Sequence, residues 1–422
     1  MVLNILSLND DELKLIFAHF VIEDLLKVRH VCRRFRYLAE DELEKKRCLT
    51  ITQSTKTTVK QLALLPHLCP RITSINAICI YFQPWKWYRL LNAGFLNLTE
   101  LSLNECCNIF HEIEMIGDSM SHIRVLKLSF MRIKELALHK MLKKLTNLKK
   151  LELWYVDIKG WGLHTLRHCV SSLILCNCKL EIESFENFMK YNGKYLKQLD
   201  FRDDIHESGR GQRLFDCIIN SSFNLDQLTL DLDHSCLDVT HLTSLCRLKT
   251  LNVRASTLEF TMRNSNRTKK MFKLKCVRFK LNTLEDKHFL SLIKRMPNVE
   301  ELTVIFKESI NLPKTSEEIC SLSSLKQLTF LSEESKINSQ NLVYMLNHSG
   351  SINHYRFSTI TQAEFVNIFN ATLKKLKKTP LFPIEIECRL KEKVQLRPDV
   401  KFPRNLKIRF VQRWETDSWY VY

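Results

Sequence analysis

A short pattern of apolar residues recurs through most of this chain. The pattern is Leu-x-x-Leu-x-Leu, with Ile, Val, Phe or Tyr allowed at the apolar positions, and it occurs eleven times. The first and last starts lie 254 residues apart over ten intervals, a mean period of 25.4 residues. A unit of this length holds about one strand and one helix and cannot bury its own apolar face, so we expect neighbouring units to stack. The starts are Leu98, Ile123, Leu148, Val170, Leu196, Leu225, Leu248, Leu274, Val299, Leu325 and Ile352.

The period falls within the range of leucine-rich repeats. The fold class that follows is an α/β solenoid, a horseshoe of strand-helix units. A degenerate unit is expected near Ile72, and residues 48–97 are interpreted as a linker with degenerate first repeats. Regular repeats are predicted over 98–378. The alternating segments after Pro380 predict an irregular, strand-rich cap over 379–422.

Helix starts are predicted within two of the repeats. Ser184 is expected to open a helix whose inward residues are Phe185, Phe188 and Met189. Thr361 and Glu364 have the spacing of a capping box ahead of another apolar stripe.

The first 47 residues have the pattern of a small all-α module. Asn9 is placed to cap a helix with Glu12 at its third position, which predicts a capping box, and Leu8 is placed to pack on Leu13. A second helical segment is expected near Glu23. Two or three short helices are therefore predicted, with some apolar surface left to meet another domain or subunit.

The string LSLNDDELKLIFAHFVIEDLLKVRHVCRRFRYLAED resembles an F-box. Asn9 stands where that family usually has Pro and Phe35 where it usually has Trp. Asn9 still starts a helix, and Phe35 still supplies an aromatic plug. The resemblance implies docking on the Skp-type adaptor of cullin-RING ubiquitin ligases, and an internal core packed on the next domain is the alternative. The residues matching the adaptor-facing helix, the rest of the interface and its small core are Leu8, Asn9, Leu13, Ile16, Phe17, Leu25, Val31, Cys32 and Phe35.

Alternate residues of each predicted strand should face away from the repeat core. At these positions the middle repeats are acidic, and the repeats after them are basic. The sequence suggests a bipolar groove for a protein target, and a solvated charged surface is the alternative. The acidic zone comprises Asp200, Arg202 and Asp231, with Asp204 and Asp233 further along; the basic zone comprises Arg254, Arg278 and Lys280, with Lys307 beyond.

Composition narrows the classes of function. With only 8 Gly, the chain has no Gly-rich phosphate-binding loop, and no catalytic motif stands out, so we expect no cofactor and no enzymatic activity. The longest uncharged stretch, Ile337 to Tyr355, is too polar to cross a bilayer, so no membrane association is expected. The 15 Cys and the lack of a signal peptide suggest a reducing compartment, cytoplasmic or nuclear.

Two further clusters contain residue types that can bind a metal ion or a phosphate. One cluster has side chains of the types that bind zinc: His164, His168, Cys169, Cys176 and Cys178. The last two, however, fall where such repeats place residues that satisfy the backbone of a turn, so no metal is expected.

The net charge is +18. The basic runs Arg263 to Lys280 and LKKLKK at 373–378 could contact phosphates, although solvated faces explain them better.

An amino-terminal F-box before leucine-rich repeats resembles the substrate receptors of SCF-type ubiquitin ligases. In that interpretation the box binds the adaptor, and through it cullin and RING subunits, while the repeats hold an unknown protein target. The alternative is a scaffold or nucleic-acid-binding protein that uses its basic surface.

Overall fold

The structure is a computed structural model of the full chain. It describes residues 5–52, 59–80, 94–106, 121–166, 169–203, 209–260, 270–307, 312–332, 339–378, 383–390 and 403–410. The chain divides into two compact units, Met1–Leu196 and Lys197–Tyr422. The predictions for Asp204, His168, the start of the basic run at Arg263 and the last residues of the chain lie outside the described residues.

The first unit begins with a helical module. A short 3-10 helix, Ile5–Ser7, precedes α1 (Asp10–Ala18), α2 (Ile22–Val28) and α3 (Arg33–Lys45). The predicted capping box is confirmed, because Asn9 Oδ1 accepts from the Glu12 amide and Glu12 Oε2 accepts from the Asn9 amide, each at 2.9 Å. Cys32 caps α3 through its sulfur.

The described part of the first unit consists of parallel strands with helices between some of them. Six parallel strands, β1 to β6, pair in register along the unit. Their bounds are Cys48–Thr52, Ser74–Ile78, Glu100–Asn104, Val125–Ser129, Lys150–Trp154 and Ser172–Cys176. The helices between and after them are α4 (Val59–Leu68), α5 (Glu135–Lys144) and α6 (Ile182–Asn192), with 3-10 helices at Trp161–Thr165 and Gly193–Tyr195.

The second unit repeats this arrangement. Its strands, β7 to β15, are also parallel and paired in chain order. They span Gln198–Arg202, Gln227–Asp238, Thr250–Glu259, Cys276–Leu281, Glu301–Phe306, Gln327–Ser332, His354–Ile360, Ile384–Leu390 and Leu406–Phe410. The helices are α7 (Arg210–Ser221), α8 (Asp286–Ile293), α9 (Pro313–Ser321), α10 (Ser339–His348) and α11 (Gln362–Lys378), with a 3-10 helix at Thr240–Ser244.

The apolar residues of the repeated sequence pattern form the core of both units. Each of the eleven predicted starts, and Ile72 before them, is exposed by 1% or less. The other two apolar positions of the pattern are inward on every strand, as Leu151 and Leu153 are on β5. Both units are thus α/β solenoids, as the period predicts.

The repeat geometry extends beyond the predicted repeat region. β1 follows the helical module directly and pairs with β2, so two strands of the solenoid lie in 48–97, where the sequence predicts a linker with degenerate first repeats. In 379–422, β14 and β15 continue the parallel pairing of β13, because their period-two alternation puts Ile384, Ile386 and Cys388 inward. Regular strands thus occupy part of the predicted irregular cap.

One predicted helix start is wrong, and one is right. The helix containing Phe185 starts at Ile182 with Glu181 at the cap, not at Ser184, although Phe185, Phe188 and Met189 are inward as predicted. Thr361 and Glu364 form the predicted capping box, with the Glu364 carboxylate accepting from the Thr361 amide at 2.7 Å.

In the described part of the chain, no helix is both long and apolar enough to span a bilayer. Every cysteine in that part is a free thiol.

Candidate functional site

Arg34 ties the start of the chain to α3. Its guanidinium donates to the carbonyls of Leu6 and Leu8 at 3.2 and 2.6 Å and to the Asp10 carboxylate at 2.7 Å. This fork holds the segment before α1 against the start of α3, next to the turn that carries Val31. Ile5, Leu6 and Val31 remain exposed, by 46%, 54% and 62%. We call Ile5, Leu6, Leu8 and Val31 the amino-terminal patch.

The nine predicted adaptor-facing residues fall into two groups. Asn9, Val31 and Cys32 are exposed, and Leu8 and Ile16 are partly exposed, so these five can meet a partner directly. Leu13, Phe17, Leu25 and Phe35 are buried, and the Phe17 and Phe35 rings meet edge to face at 5.3 Å. These four residues form the core of the module. A role in docking would therefore be indirect, through the position of the helices.

Sequence reasoning missed the exposed residues Ile5 and Leu6 and the role of Arg34. Ile5 and Leu6 lie before the helix cap, where a helical periodicity has not yet begun. The apolar start of the chain, MVLNIL, is a sequence signal that could have indicated them.

Comparison with known families decides the nature of this module. Residues 5–47 match the F-box domain. The chain carries an F-box domain followed by a repeat solenoid. No curated relative is similar enough in sequence to match the chain. Among solved structures it is similar to a chain in the crystal structure of the Rad7 and Elc1 complex in yeast, at 13% identity and a TM-score of 0.43, covering 97% of this chain and 94% of that chain.

The predicted acidic zone of the solenoid is internally paired. Arg202 pairs with Asp200 through two hydrogen bonds, in which its Nε and Nη2 donate to the two carboxylate oxygens at 2.8 and 2.7 Å. Arg254, predicted to begin the basic zone, faces Asp231 across the β8–β9 register and contacts both Asp231 and Asp233, at 3.4 and 2.5 Å. The predicted boundary between acidic and basic zones is therefore a cluster of ion pairs, because the register places opposite charges on adjacent strands.

Burial changes the electrostatics of this cluster. Asp200 and Asp231 are both buried, although they lie on the outward side of their strands. Burial raises the pKa of Asp231 above its ordinary value; the nearby Arg254 partly offsets this. Arg254 is the largest influence that favours the ionised carboxylate, and the buried pair is more sensitive to loss of one partner than an exposed pair would be.

The outward residues on the strands after this cluster include two arginines with two threonines between them. Arg278 on β10 is followed in register by Thr303 and Thr329 and then by Arg356. Burial, and more weakly the charge of Arg356, lower the pKa of Arg278. Lys280 occupies the next outward position on β10, in register with Arg254. The six predicted target-binding residues thus lie on one side of β7 to β10.

A second network of charges lies on β13 to β15. Glu387, which is buried, pairs with Arg356 and Arg409, and Glu385 pairs with Lys407 and Arg409. This network was not predicted from the sequence, since it depends on the pairing of β14 and β15 with β13.

The zinc candidates that lie in the described ranges do not gather into a site. Cys176 and Cys178 are buried, and the Cys178 thiol donates to the carbonyls of Leu153 and Cys176, both at 3.3 Å. This is the turn-satisfying role expected of that repeat position. No group of three or more metal-ligating side chains lies together in the part of the chain that the structure describes.

Proposed function

We propose that the chain is the substrate-recognition subunit of an SCF-type ubiquitin ligase. The observation that carries the proposal is the F-box domain at residues 5–47 together with the exposed amino-terminal patch on it. An F-box that buries such a patch on a Skp-type adaptor gains the hydrophobic free energy of those side chains. Cullin and RING subunits would be reached through the adaptor.

The solenoid supplies the second half of the proposed function. Its outward strand residues on β7 to β10 form a surface on which a protein target can be held, and the ordered ion pairs there would fix the orientation of that target. Ubiquitin transfer is then a matter of proximity, because tethering raises the effective concentration of target lysines near the loaded enzyme. The proposed receptor is itself non-catalytic and acts in the cytoplasm or nucleus.

A pair of valine substitutions tests the adaptor half. Val31→Asp places a carboxylate in the amino-terminal patch, and Val366→Asp places the same charge at an exposed valine of α11 in the other unit. Burial of a valine side chain is worth about 1.5 kcal/mol or more, so Val31→Asp should lower co-purification of a co-expressed Skp-type adaptor at least about ten-fold.

The matched control variant should bind like the wild type. Circular dichroism of both variants checks that the helical module is still folded. Equal adaptor capture by the two variants and the wild type would contradict the docking assignment. Phe17→Ala is a poorer test, because Phe17 is buried in the module and its loss would unfold the F-box itself.

The nucleic-acid alternative is weakened by two lysines. Lys275, in the first basic run, bonds to the Glu300 carboxylate at 2.6 Å. Lys375, in LKKLKK, is buried rather than solvated. At these two described positions the positive charge is paired or buried and is less available to phosphates than the sequence indicates.

A further inference from the structure

Short turns lead into three consecutive strands of the second unit. Before each of β8, β9 and β10 the chain makes the same turn, in which a leucine amide bonds to the carbonyl three residues earlier, at 3.1 to 3.3 Å. The two residues that close each turn are buried, so the two residues between them lie at the surface. The turns are 222–225, 245–248 and 271–274.

The first exposed position of these turns is apolar in all three. Phe223 and Phe272 are exposed by 52% and 61%, and Cys246 in the turn between them is exposed as well. The same turn precedes β11 and β12, where this position is occupied by Pro297 and Ser323. The turn itself therefore does not require an aromatic ring, and the core does not bury one there.

Strand register places the three apolar residues side by side. The first residues of β8, β9 and β10 pair with one another, and the first exposed turn residue lies four residues before each of them. Neighbouring strands lie about 4.8 Å apart, so the two rings are about 10 Å apart with the cysteine between them. We call Phe223, Cys246 and Phe272 the edge row. Contiguous exposed apolar surface with a polar rim marks an interaction site.

The rim of the edge row carries positive charge. The second exposed residue of the turn is Arg247 before β9 and Lys273 before β10, and both side chains are exposed. Arg247 donates to the side-chain oxygen of Asn224 at 3.3 Å, and this neutral acceptor leaves its charge in place. The chain that leads into the last turn, 261–270, adds four basic residues and no acidic residue in sequence.

The acidic residues at this edge are outnumbered. Asp226 contacts Lys249 at 3.4 Å, and Glu300 accepts from Lys275 and a second lysine at 2.6 and 2.8 Å. Hydrogen bonds from both lysines lower the pKa of Glu300 to about 2, so it stays ionised. Glu301 follows at the start of β11. The described basic residues at the same edge are Lys197, Arg247, Lys249, Lys273, Lys275 and Lys326.

We propose that the edge row and its basic rim bind an acidic segment of the target protein that carries aromatic or aliphatic side chains. The apolar side chains of the segment pack on the two rings, and its carboxylates meet Arg247 and Lys273. Asp226 and Glu300 interrupt the lysines, which disfavours a uniformly negative nucleic acid or lipid surface and suits a segment whose charges are spaced.

The position of the edge row connects it to the proposed receptor surface. The three turns lead directly into β8, β9 and β10, whose outward residues are proposed to hold the target, so one segment can contact both. This inference deepens the proposed function and rests on it, since it names the chemistry of the segment that the receptor holds.

The test is fluorescence anisotropy on the full chain with fluorescein-labelled peptides. In the probe peptide, pairs of glutamates alternate with single phenylalanines. One control peptide has serine in place of phenylalanine, and another has glutamine in place of glutamate. The net charge of the chain is +18, so any acidic peptide is attracted over a long range, and the serine peptide measures that background.

The first variant removes both rings. Phe223→Ser with Phe272→Ser installs the residue type that another turn of this solenoid carries at Ser323. The probe peptide should bind this double variant at least about ten-fold more weakly, because the apolar burial is lost. Leu96→Ser is the matched control, at the same position of the turn before β3, where Leu96 is 89% exposed, and it should bind like the wild type.

The second variant removes the charges of the rim. Arg247→Gln with Lys273→Gln should weaken the probe peptide by about three- to ten-fold and make its affinity less dependent on salt. Lys314→Gln with Lys377→Gln makes the same change in net charge at exposed lysines of α9 and α11. This control should stay within about two-fold of the wild type, because only the long-range attraction changes.

Equal affinity of the wild type for the probe peptide and the serine peptide would overturn the inference. So would equal losses in the ring variant and in Leu96→Ser. Vesicles of phosphatidylserine and phosphatidylcholine, and a single-stranded oligouridylate, are measured with the same variants. If one of these ligands loses affinity in the ring variant while the probe peptide does not, the edge row binds that ligand and the inference is wrong.

Adaptor capture, measured in parallel, separates the two proposals. All of these variants should still capture the adaptor, because their changes lie outside residues 5–47. If the probe peptide fails to bind while Val31→Asp still lowers adaptor capture, then the receptor function stands and only the acidic-segment site is wrong.

Discussion

Lys375 is a buried cation that donates to three neutral acceptors. Its side chain is 6% exposed, and Nζ donates to Ser349 Oγ at 3.0 Å, to Tyr355 Oη at 2.9 Å and to the Ile352 carbonyl at 3.2 Å. Burial lowers the pKa of Lys375 from its ordinary 10.5 to about 8. Each of these three acceptors is uncharged, so the three bonds satisfy the donors of the ammonium group without neutralising its charge. The protonated form is therefore less stable in the folded chain than in the unfolded chain.

The direction of the pH dependence follows from this shift. Between pH 8 and 10.5 the unfolded chain binds the Lys375 proton more tightly than the folded chain does, so stability should rise with pH through that range. The destabilisation is fully present below pH 8 and disappears above 10.5. A shift of one pKa unit is worth about 1.4 kcal/mol, which gives a gain of about 2 kcal/mol between pH 7 and pH 9.5 from this residue alone.

Lys375→Met removes the titration and keeps the chain length of the side chain. At pH 7 the variant should match the wild type within about 1 kcal/mol, because the lost hydrogen bonds offset the removal of a buried charge. At pH 9.5 it should be less stable than the wild type by about 2 kcal/mol. Lys374→Met, at the exposed neighbour, is the control. It should change the free energy of unfolding by the same amount at pH 7 and at pH 9.5.

Urea unfolding at pH 7, 8, 9 and 9.5 measures the difference, and hydrogen exchange of α11 shows whether the effect is local. The comparison with Lys374→Met cancels the titration of other lysines and tyrosines. A stability difference between Lys375→Met and the wild type that does not change with pH would refute the reasoning. So would a wild type that loses stability, relative to the variant, between pH 8 and 9.5.

Three further perturbations test the fold and the paired strand face. Asn9→Ala should destabilise the F-box by about 1 kcal/mol through loss of the cap, measured by thermal melting of its helices. Leu151→Asp should unfold part of the first unit, because a buried carboxylate costs several kcal/mol. Glu152→Ala, at the outward neighbour, should cost about 1 kcal/mol or less. Thermal melting of the two variants measures the difference, and equal melting temperatures would contradict the strand register. Arg254→Ala should destabilise the second unit by about 2 kcal/mol at pH 7 and by less at pH 5, because protonation of Asp231 then relieves the unpaired charge; urea unfolding at both pH values checks this.

Local patterns in the sequence were sufficient for much of the fold. The spacing of Asn9 and Glu12, and of Thr361 and Glu364, predicted two capping boxes that form as expected. The predicted helix start at Ser184 is wrong because of a contact with another repeat. The amide of Glu181 bonds to the carbonyl of Lys159 in the preceding repeat at 2.9 Å, which fixes the helix start three residues earlier than the sequence indicated.

The candidate site was predicted less well than the fold. The apolar stripe of the F-box was correctly identified, but its periodicity does not separate buried Phe17 from exposed Val31, since both fit a helical pattern. Lys375 had a usable signal that was missed: it lies seven residues after Ile368, on the buried face of the same helix. The helical period places Lys375 on the same face as Ile368, and that face packs in the core.

The sequence by itself determined the spacing of the repeats, the inward residues of the strands from Leu98 onward and the presence of a helical F-box. These follow from burial of apolar side chains at fixed spacing, which is a property of the chain alone. Only the tertiary structure decided which charges meet. Asp231 and Arg254 are 23 residues apart in sequence and neighbours in the sheet, and the stack of Phe130 on Tyr155 likewise joins two repeats. Such contacts depend on strand register, which no single repeat contains.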